Sequence, residues 1–283
     1  MKKYLMSAVI AGLALSAGAS YAQPSNPSDP KQFTEEFREF FYKRFPDIPK
    51  AEYNMGVYAL LPDARAQWEA AEEFPPYMDA VDKGKKLWAT KFPNGKTYEE
   101  CLGHPAKGLR AKYPFFDTAA SKVRILESDL IACQSANGVE KPMDTKSKDL
   151  SALSAYLSYE SRGMKVDVSI PNDAAVAAFN DGKATWYRKT GQLNLSCADC
   201  HQYHSGQNAR AETLSPGIGK TPHWPVFRVS RDSMVRLHER FEGCVRDTRA
   251  APYKQFGKEF QNLEYFLAYI DNGLEINGPA VRK

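Results

Sequence analysis

Beyond Ala19 the chain has no apolar run of the ~18 residues that a membrane-spanning helix needs, which excludes a helical membrane protein from that point on. Charge of one sign is also lacking. Lys and Arg number 38 against 34 Asp and Glu, a formal +4 that gives no reason to expect nucleic-acid binding. Cysteine is scarce and odd in number, at five. The one long apolar stretch, residues 5–19, is too short to be read as a span and has other neighbours. It follows Lys2-Lys3 and precedes Ser20-Tyr21-Ala22, the three parts of a secretory signal peptide. Residues 1–22 are therefore expected to be cleaved after Ala22, delivering a soluble chain to the periplasm. Loss of Lys2 and Lys3 brings the charge closer still to neutral.

What is present is one short motif of high information, Cys197-Ala198-Asp199-Cys200-His201. Two thiols three positions apart, followed at once by an imidazole, form a haem c attachment site. Cys197 and Cys200 add to the haem vinyl groups and His201 becomes an iron ligand. The other side of the iron decides what such a haem does.

The two halves of the chain repeat each other. Gly84-Lys85-Lys86-Leu87-Trp88 recurs as Gly182-Lys183-Ala184-Thr185-Trp186, and a second glycine, Gly95 or Gly191, stands six residues before Cys101 or Cys197. Leu153, Tyr156, Leu157, Tyr159 and Gly163 keep one offset from Leu263, Phe266, Leu267, Tyr269 and Gly273, and Cys133 matches Cys244. Phe260, Leu263, Phe266, Leu267 and Ile270 fall on one helical stripe. The expected fold is mainly α, with two tandem cytochrome c-like domains behind an N-terminal extension. Residues 23–80 read as an extended, proline-rich arm with short helices, one over residues 35–42. Residues 81–170 form the first domain and residues 171–283 the second, with Asn172 or Asp173 capping the helix after the junction. Gly163 and Gly273 are expected as helix stops. The glycine- and proline-rich residues 213–225 read as a loop around the porphyrin edge.

In the first half His104-Pro105 stands where the second has Cys200-His201, so only one attachment thiol remains and this domain is expected to hold no haem. Oxidising surroundings then sort the cysteines: two take the haem, Cys101 and Cys133 pair as a disulfide, and Cys244 is left over. Arg236, Arg240, Arg246 and Arg249 surround Cys244, and cationic neighbours favour a thiolate. A helix over residues 234–242 would put Arg236 and Arg240 on one face with Cys244 a turn further. His204, His223, His238, Met234 and Cys244 are all candidates for the second iron ligand. Spacing alone leaves Met234, which would make a plain electron carrier, and Cys244 both open.

The run Arg188-Lys189-Thr190-Gly191-Gln192-Leu193-Asn194-Leu195-Ser196 into the CxxCH motif resembles the SoxA family. So do Pro225-Val226-Phe227-Arg228, Leu237-His238-Glu239-Arg240, Cys244 and Arg249-Ala250-Ala251-Pro252. SoxA is the larger cytochrome subunit of the SoxAX complex of sulfur-oxidising bacteria. The resemblance, to the single-haem branch, implies His201 and the sulfur of Cys244, often as a persulfide, as the iron ligands. It implies Cys244 as the catalytic residue and Arg240 as substrate-binding, and a guanidinium at Arg249 would suit the same sulfonate. The implied activity is that of an L-cysteine S-thiosulfotransferase, which joins thiosulfate to a cysteine of a SoxYZ-like carrier and passes two electrons to a c-type cytochrome. A SoxX-like small cytochrome is the implied partner subunit. Lack of a second CxxCH speaks against a two-haem thiosulfate dehydrogenase.

Overall fold

The computed structural model describes residues 28–282. The expected signal peptide lies outside them. Among the described residues no helix is long and apolar enough to cross a membrane.

The segment before the repeat is more helical than its prolines suggest. Helix α1 (Pro30–Arg44) starts at a proline because the first helical turn needs no N–H from it, and Asp29 caps it by accepting from the Gln32 N–H at 2.7 Å. Phe33, Phe37 and Phe41 make one stripe that packs on Phe179, Trp186 and Phe266. The arm is thus part of the second half's core, and the expected helix over residues 35–42 is the middle of a longer one. A 3-10 segment (Lys50–Ala59) and α2 (Pro62–Ala71) follow.

Two helix pairs then carry the repeat. In the first half α3 (Met78–Ala89) and α4 (Tyr98–Leu102) precede a hairpin of β1 (Phe115–Asp117) and β2 (Lys122–Arg124), then α5 (Leu126–Ala136) and α6 (Lys148–Tyr159). In the second half α7 (Asp173–Tyr187) leads to the CxxCH turn. A two-residue hairpin of β3 (Asn208–Ala209) and β4 (Glu212–Thr213) follows, and then β5 (Val226–Arg228), β6 (Ser233–Val235), α8 (Leu237–Asp247) and α9 (Lys258–Ile270). The C-terminal strand β7 (Ala280–Arg282) pairs parallel to β5 on the edge opposite β6.

The repeated glycines mark the helix crossings. A Cβ on Gly84 would sit 2.1 Å from the Ala152 carbonyl of α6, and one on Gly182 would sit 2.0 Å from the Asn262 carbonyl of α9. Only a residue without a side chain allows α3 onto α6, and α7 onto α9, at that distance. Asn172 caps α7, accepting from the Ala175 N–H at 2.9 Å. Gly163 and Gly273 adopt left-handed φ of 78° and 86°, but in the turns beyond α6 and α9 rather than at the helix ends.

One apolar core gathers α1, α7 and α9, and a second gathers α3, α5 and α6. The β5–β6–β7 sheet packs on the first-half core through Phe227, Met234 and Val281. Within that core Cys101 of α4 and Cys133 of α5 form a disulfide across a separation of 32 residues. Replacing both by serine is expected to lower unfolding free energy by about 3–4 kcal/mol, the chain-entropy value for such a loop. Urea denaturation measures it, and a loss below about 1 kcal/mol would show that this pair does little for the fold.

Candidate functional site

The CxxCH segment is held at its start by a reciprocal cap. Ser196 donates its N–H and hydroxyl to Asp199 Oδ2 at 2.8 and 2.7 Å, and the Asp199 N–H donates to Ser196 Oγ at 3.1 Å. Burial raises the Asp199 pKa, but the Ser196 bonds and Lys189, 3.5 Å away, outweigh it and leave a lowered value. Residues Asp199–Tyr203 then make a widened π-type turn. That turn presents His201 beside Trp186, ring centroids 6.3 Å apart.

Both polar partners of the His201 ring gather at Nδ1: the Ser215 carbonyl at 2.9 Å and Lys220 Nζ at 2.7 Å. Nε2 is therefore the nitrogen left to face a metal. Burial, then the charges of Lys220 and Arg240, hold the His201 pKa well below the usual imidazole range, the state in which a ring nitrogen can ligate. The loop after the motif is fixed from below by Asp271, whose carboxylate accepts from the N–H groups of Gly219 and Thr221 and from the Thr221 hydroxyl at 2.7–2.8 Å. This loop supplies Ser215 and Lys220, so residues 213–225 do pack beside the expected ligand.

The third sulfur comes from α8. Arg240 and Cys244, four apart, share one face of this helix. Burial, followed by the charge of Cys244, pushes the Cys197 thiol up to about 12 and raises Cys200 as well. Arg240 acts on both His201 and Lys220. Loop and helix therefore face one space. Cys197, Cys200, His201 and Cys244 each keep partial solvent exposure. Two thiols at attachment spacing, an imidazole with Nε2 free and a further sulfur make a donor set that fits haem c. Unpaired cations complete the fit. Arg228 is half-buried, its pKa lowered by burial and then by Arg240, and no carboxylate pairs with either arginine among the described residues. Such guanidinium groups suit the carboxylates of a porphyrin or an anionic substrate.

The expected helix over residues 234–242 is displaced. Residues 233–235 form β6, whose alternation buries Val235, and α8 starts only at Leu237, with Cys244 inside it. Arg236 consequently sits at the N-cap, buried, donating to Glu239 Oε1 at 2.6 Å and to the Thr145 carbonyl. It is therefore not a partner for the sulfur. Met234 packs on the first-half core. His204 is exposed, with Nδ1 2.6 Å from the Asp199 carbonyl, and His238 is buried against Glu264. His223 is buried near Gly56, and burial, with Arg282 next, holds its pKa well below normal. Arg249 lies beyond the end of α8 in a left-handed turn (φ 61°), its side chain exposed. The same turn ties α8 to the motif, because the Leu193 N–H donates to the Thr248 carbonyl at 3.2 Å and Gly191 lies against that carbonyl.

Lys220 and Arg228 went unremarked as site residues in the sequence. A lysine ending a glycine-rich loop and an arginine closing an apolar strand were the only signals.

Comparison with known proteins extends over nearly the whole chain. The SoxA/TsdA cytochrome c domain family matches residues 83–166, which is the half without a CxxCH motif. That match gives the half without the motif its own likeness to a cytochrome c domain. The L-cysteine S-thiosulfotransferase subunit SoxA of Allochromatium vinosum is 42% identical over 281 residues, covering 99% of this chain and 98% of that protein. The subunit of the same name from Chlorobaculum tepidum is 40% identical over 288 residues, covering 100% of each. The crystal structure of SoxXA from P. pantotrophus superimposes with a TM-score of 0.68 at 34% identity, over 74% of this chain and 79% of that chain. Identity of this degree over full length, on a mainly helical fold with a haem c motif, is decisive: the chain belongs to the SoxA family.

Proposed function

We propose that this chain is the haem c subunit of an exported L-cysteine S-thiosulfotransferase. It joins thiosulfate to the cysteine of a SoxYZ-like carrier beside a SoxX-like small subunit, in the periplasm after cleavage at Ala22. The observation that carries the reading is the approach of Cys244 and Arg240, from one face of α8, to the CxxCH turn.

One haem is attached through Cys197 and Cys200, with His201 and Cys244 as iron ligands, and it supplies a one-electron path out of the site. Carrier thiol and thiosulfate combine into a carrier S–S–sulfonate, releasing one proton and two electrons to a c-type cytochrome. Arg240 binds the sulfonate oxygens, where a planar guanidinium offers paired donors at full charge. Arg249, on the exposed turn at the end of α8, meets the anion from the solvent side. The Cys244 thiolate and the outer sulfur of thiosulfate join as a Cys244 S–S–sulfonate with loss of the two electrons, and the deprotonated carrier thiol then attacks the middle sulfur, taking the whole S-sulfonate and releasing the Cys244 thiolate. Residues 23–80 serve as the arm, residues 81–170 as the haem-less domain and residues 171–283 as the catalytic one. The plain-carrier alternative, ligation by Met234, is disfavoured by that side chain's place on the first-half core.

Intact mass of the exported protein tests the attachment. One added haem, with neither Cys197 nor Cys200 open to a thiol reagent, is the expected result. A mass without haem, or with two, would refute it.

A further inference from the structure

We propose that His238 is a positioning residue for the Cys244–Arg240 face of α8, and that Arg110 of the haem-less half completes the device through Glu264. The three side chains form a buried chain. Arg110 Nη1 lies 3.2 Å from Glu264 Oε1, and His238 Nε2 lies 3.1 Å from Glu264 Oε2. Their exposures are 6%, 1% and 2% for Arg110, Glu264 and His238. The other ring nitrogen of His238 accepts the Phe256 N–H at 3.1 Å, which leaves the ring proton on Nε2, close to the carboxylate though off the line of a hydrogen bond. Phe241, Phe256 and Phe260 box the ring at centroid distances of 5.5, 5.5 and 5.6 Å. The imidazole has one orientation open to it. Burial alone would raise the Glu264 pKa, but His238 and the Arg110 charge overcome that, so the link stays ionic.

Helix phase gives this chain its use. At ~100° per residue, His238 lies about 160° round α8 from Arg240 and about 120° from Cys244, on the opposite side. A helix gripped at its back cannot roll, so the sulfur and the guanidinium keep their aim. The first half shows the same link in simpler form: Glu127, second in α5, accepts from the Ser154 hydroxyl of α6 at 2.9 Å. His238, second in α8, and Glu264 hold the matching places in the second half. Only there is a third member added, and it comes across the domain junction. Arg110 is itself fixed by its N–H donating to Ser161 Oγ at 3.1 Å. The half without haem thus contributes to placing the half with one.

This inference rests on Cys244 being an iron ligand. The test uses the full-length haem-loaded protein with its small partner subunit, comparing R110M, R110K and E264Q. R110M and E264Q are expected to lose much of the low-spin ferric signature of sulfur ligation and to shift the reduction potential. Thiosulfate-dependent turnover should fall about tenfold or more, since a shift near 1 Å at reacting groups costs up to ~100-fold. R110K, keeping the charge, should restore most of the signature, which a merely destabilised fold would not explain. E264Q, close to isosteric, carries the comparison should R110M fail to fold. An unchanged signature and potential in the folded variants would overturn the positioning role alone. A parent protein without any sulfur-ligand signature would overturn the ligation it depends on as well.

Discussion

Changing Cys244 to alanine is expected to abolish the sulfur-ligated ferric spectrum and to cut thiosulfate-dependent reduction of a c-type cytochrome by about 100-fold or more. Even groups one layer out from a metal are worth about 10- to 100-fold, and the proposed reading puts Cys244 in direct contact with the iron. The thiol sits on α8 with Arg240 one turn before it, near both attachment cysteines. Met234 does not stand ready to replace it, since it packs on the first-half core, and Cys101 and Cys133 are bonded to each other. M234L is the matched control and should leave spectrum and turnover unchanged. The two variants separate the readings: turnover surviving C244A in the assembled complex removes the catalytic role, and a spectrum altered by M234L restores the plain electron carrier.

Adding one methyl group at Gly182 is expected to damage the fold severely. Its Cβ would lie 2.0 Å from the Asn262 carbonyl and 2.8 Å from Phe266 Cβ, so α7 and α9 would have to part. Overpacking costs about 1–3 kcal/mol, and because the nearest atom is backbone the upper end applies. In a protein of this size about 3 kcal/mol corresponds to a fall of roughly 6–12 °C in Tm. Gly84→Ala should act alike through the Ala152 carbonyl, 2.1 Å away. Gly243→Ala should be neutral or slightly stabilising. It lies within α8 beside Cys244, its nearest atom is Arg231 Nη2 at 4.0 Å, and alanine is the better helix former. Thermal unfolding followed by circular dichroism checks all three, and a G182A melting point within about 2 °C of the parent would dismiss the close crossing.

Those glycines show how far local pattern reached. The repeat was visible because a helix crossing that admits only glycine, and an attachment motif that admits only Cys-x-x-Cys-His, constrain neighbours in sequence. The closing helices were legible for the same reason, their apolar residues recurring at helical spacing. Where α8 begins was not legible. Residues 233–235 are β6 because they pair with β5, which in turn pairs with β7 from the far end of the chain. That pairing moved Arg236 from a face beside the sulfur to a buried cap. The prolines of the N-terminal arm misled for a related reason, since the phenylalanine stripe of α1 finds its partners on α7 and α9.

By itself, then, the sequence determined the haem c motif, the doubled architecture, the odd cysteine and the family, all carried by residues near one another in the chain. The tertiary structure decided which of the remaining polar residues serve the site. It set Arg240 and Cys244 toward the motif, turned Met234 and Arg236 away, and brought Arg110 of the first half to Glu264 and His238 of the second. A side chain's direction follows from the phase of its helix, and that phase is fixed by contacts distant in sequence, which no local spacing records.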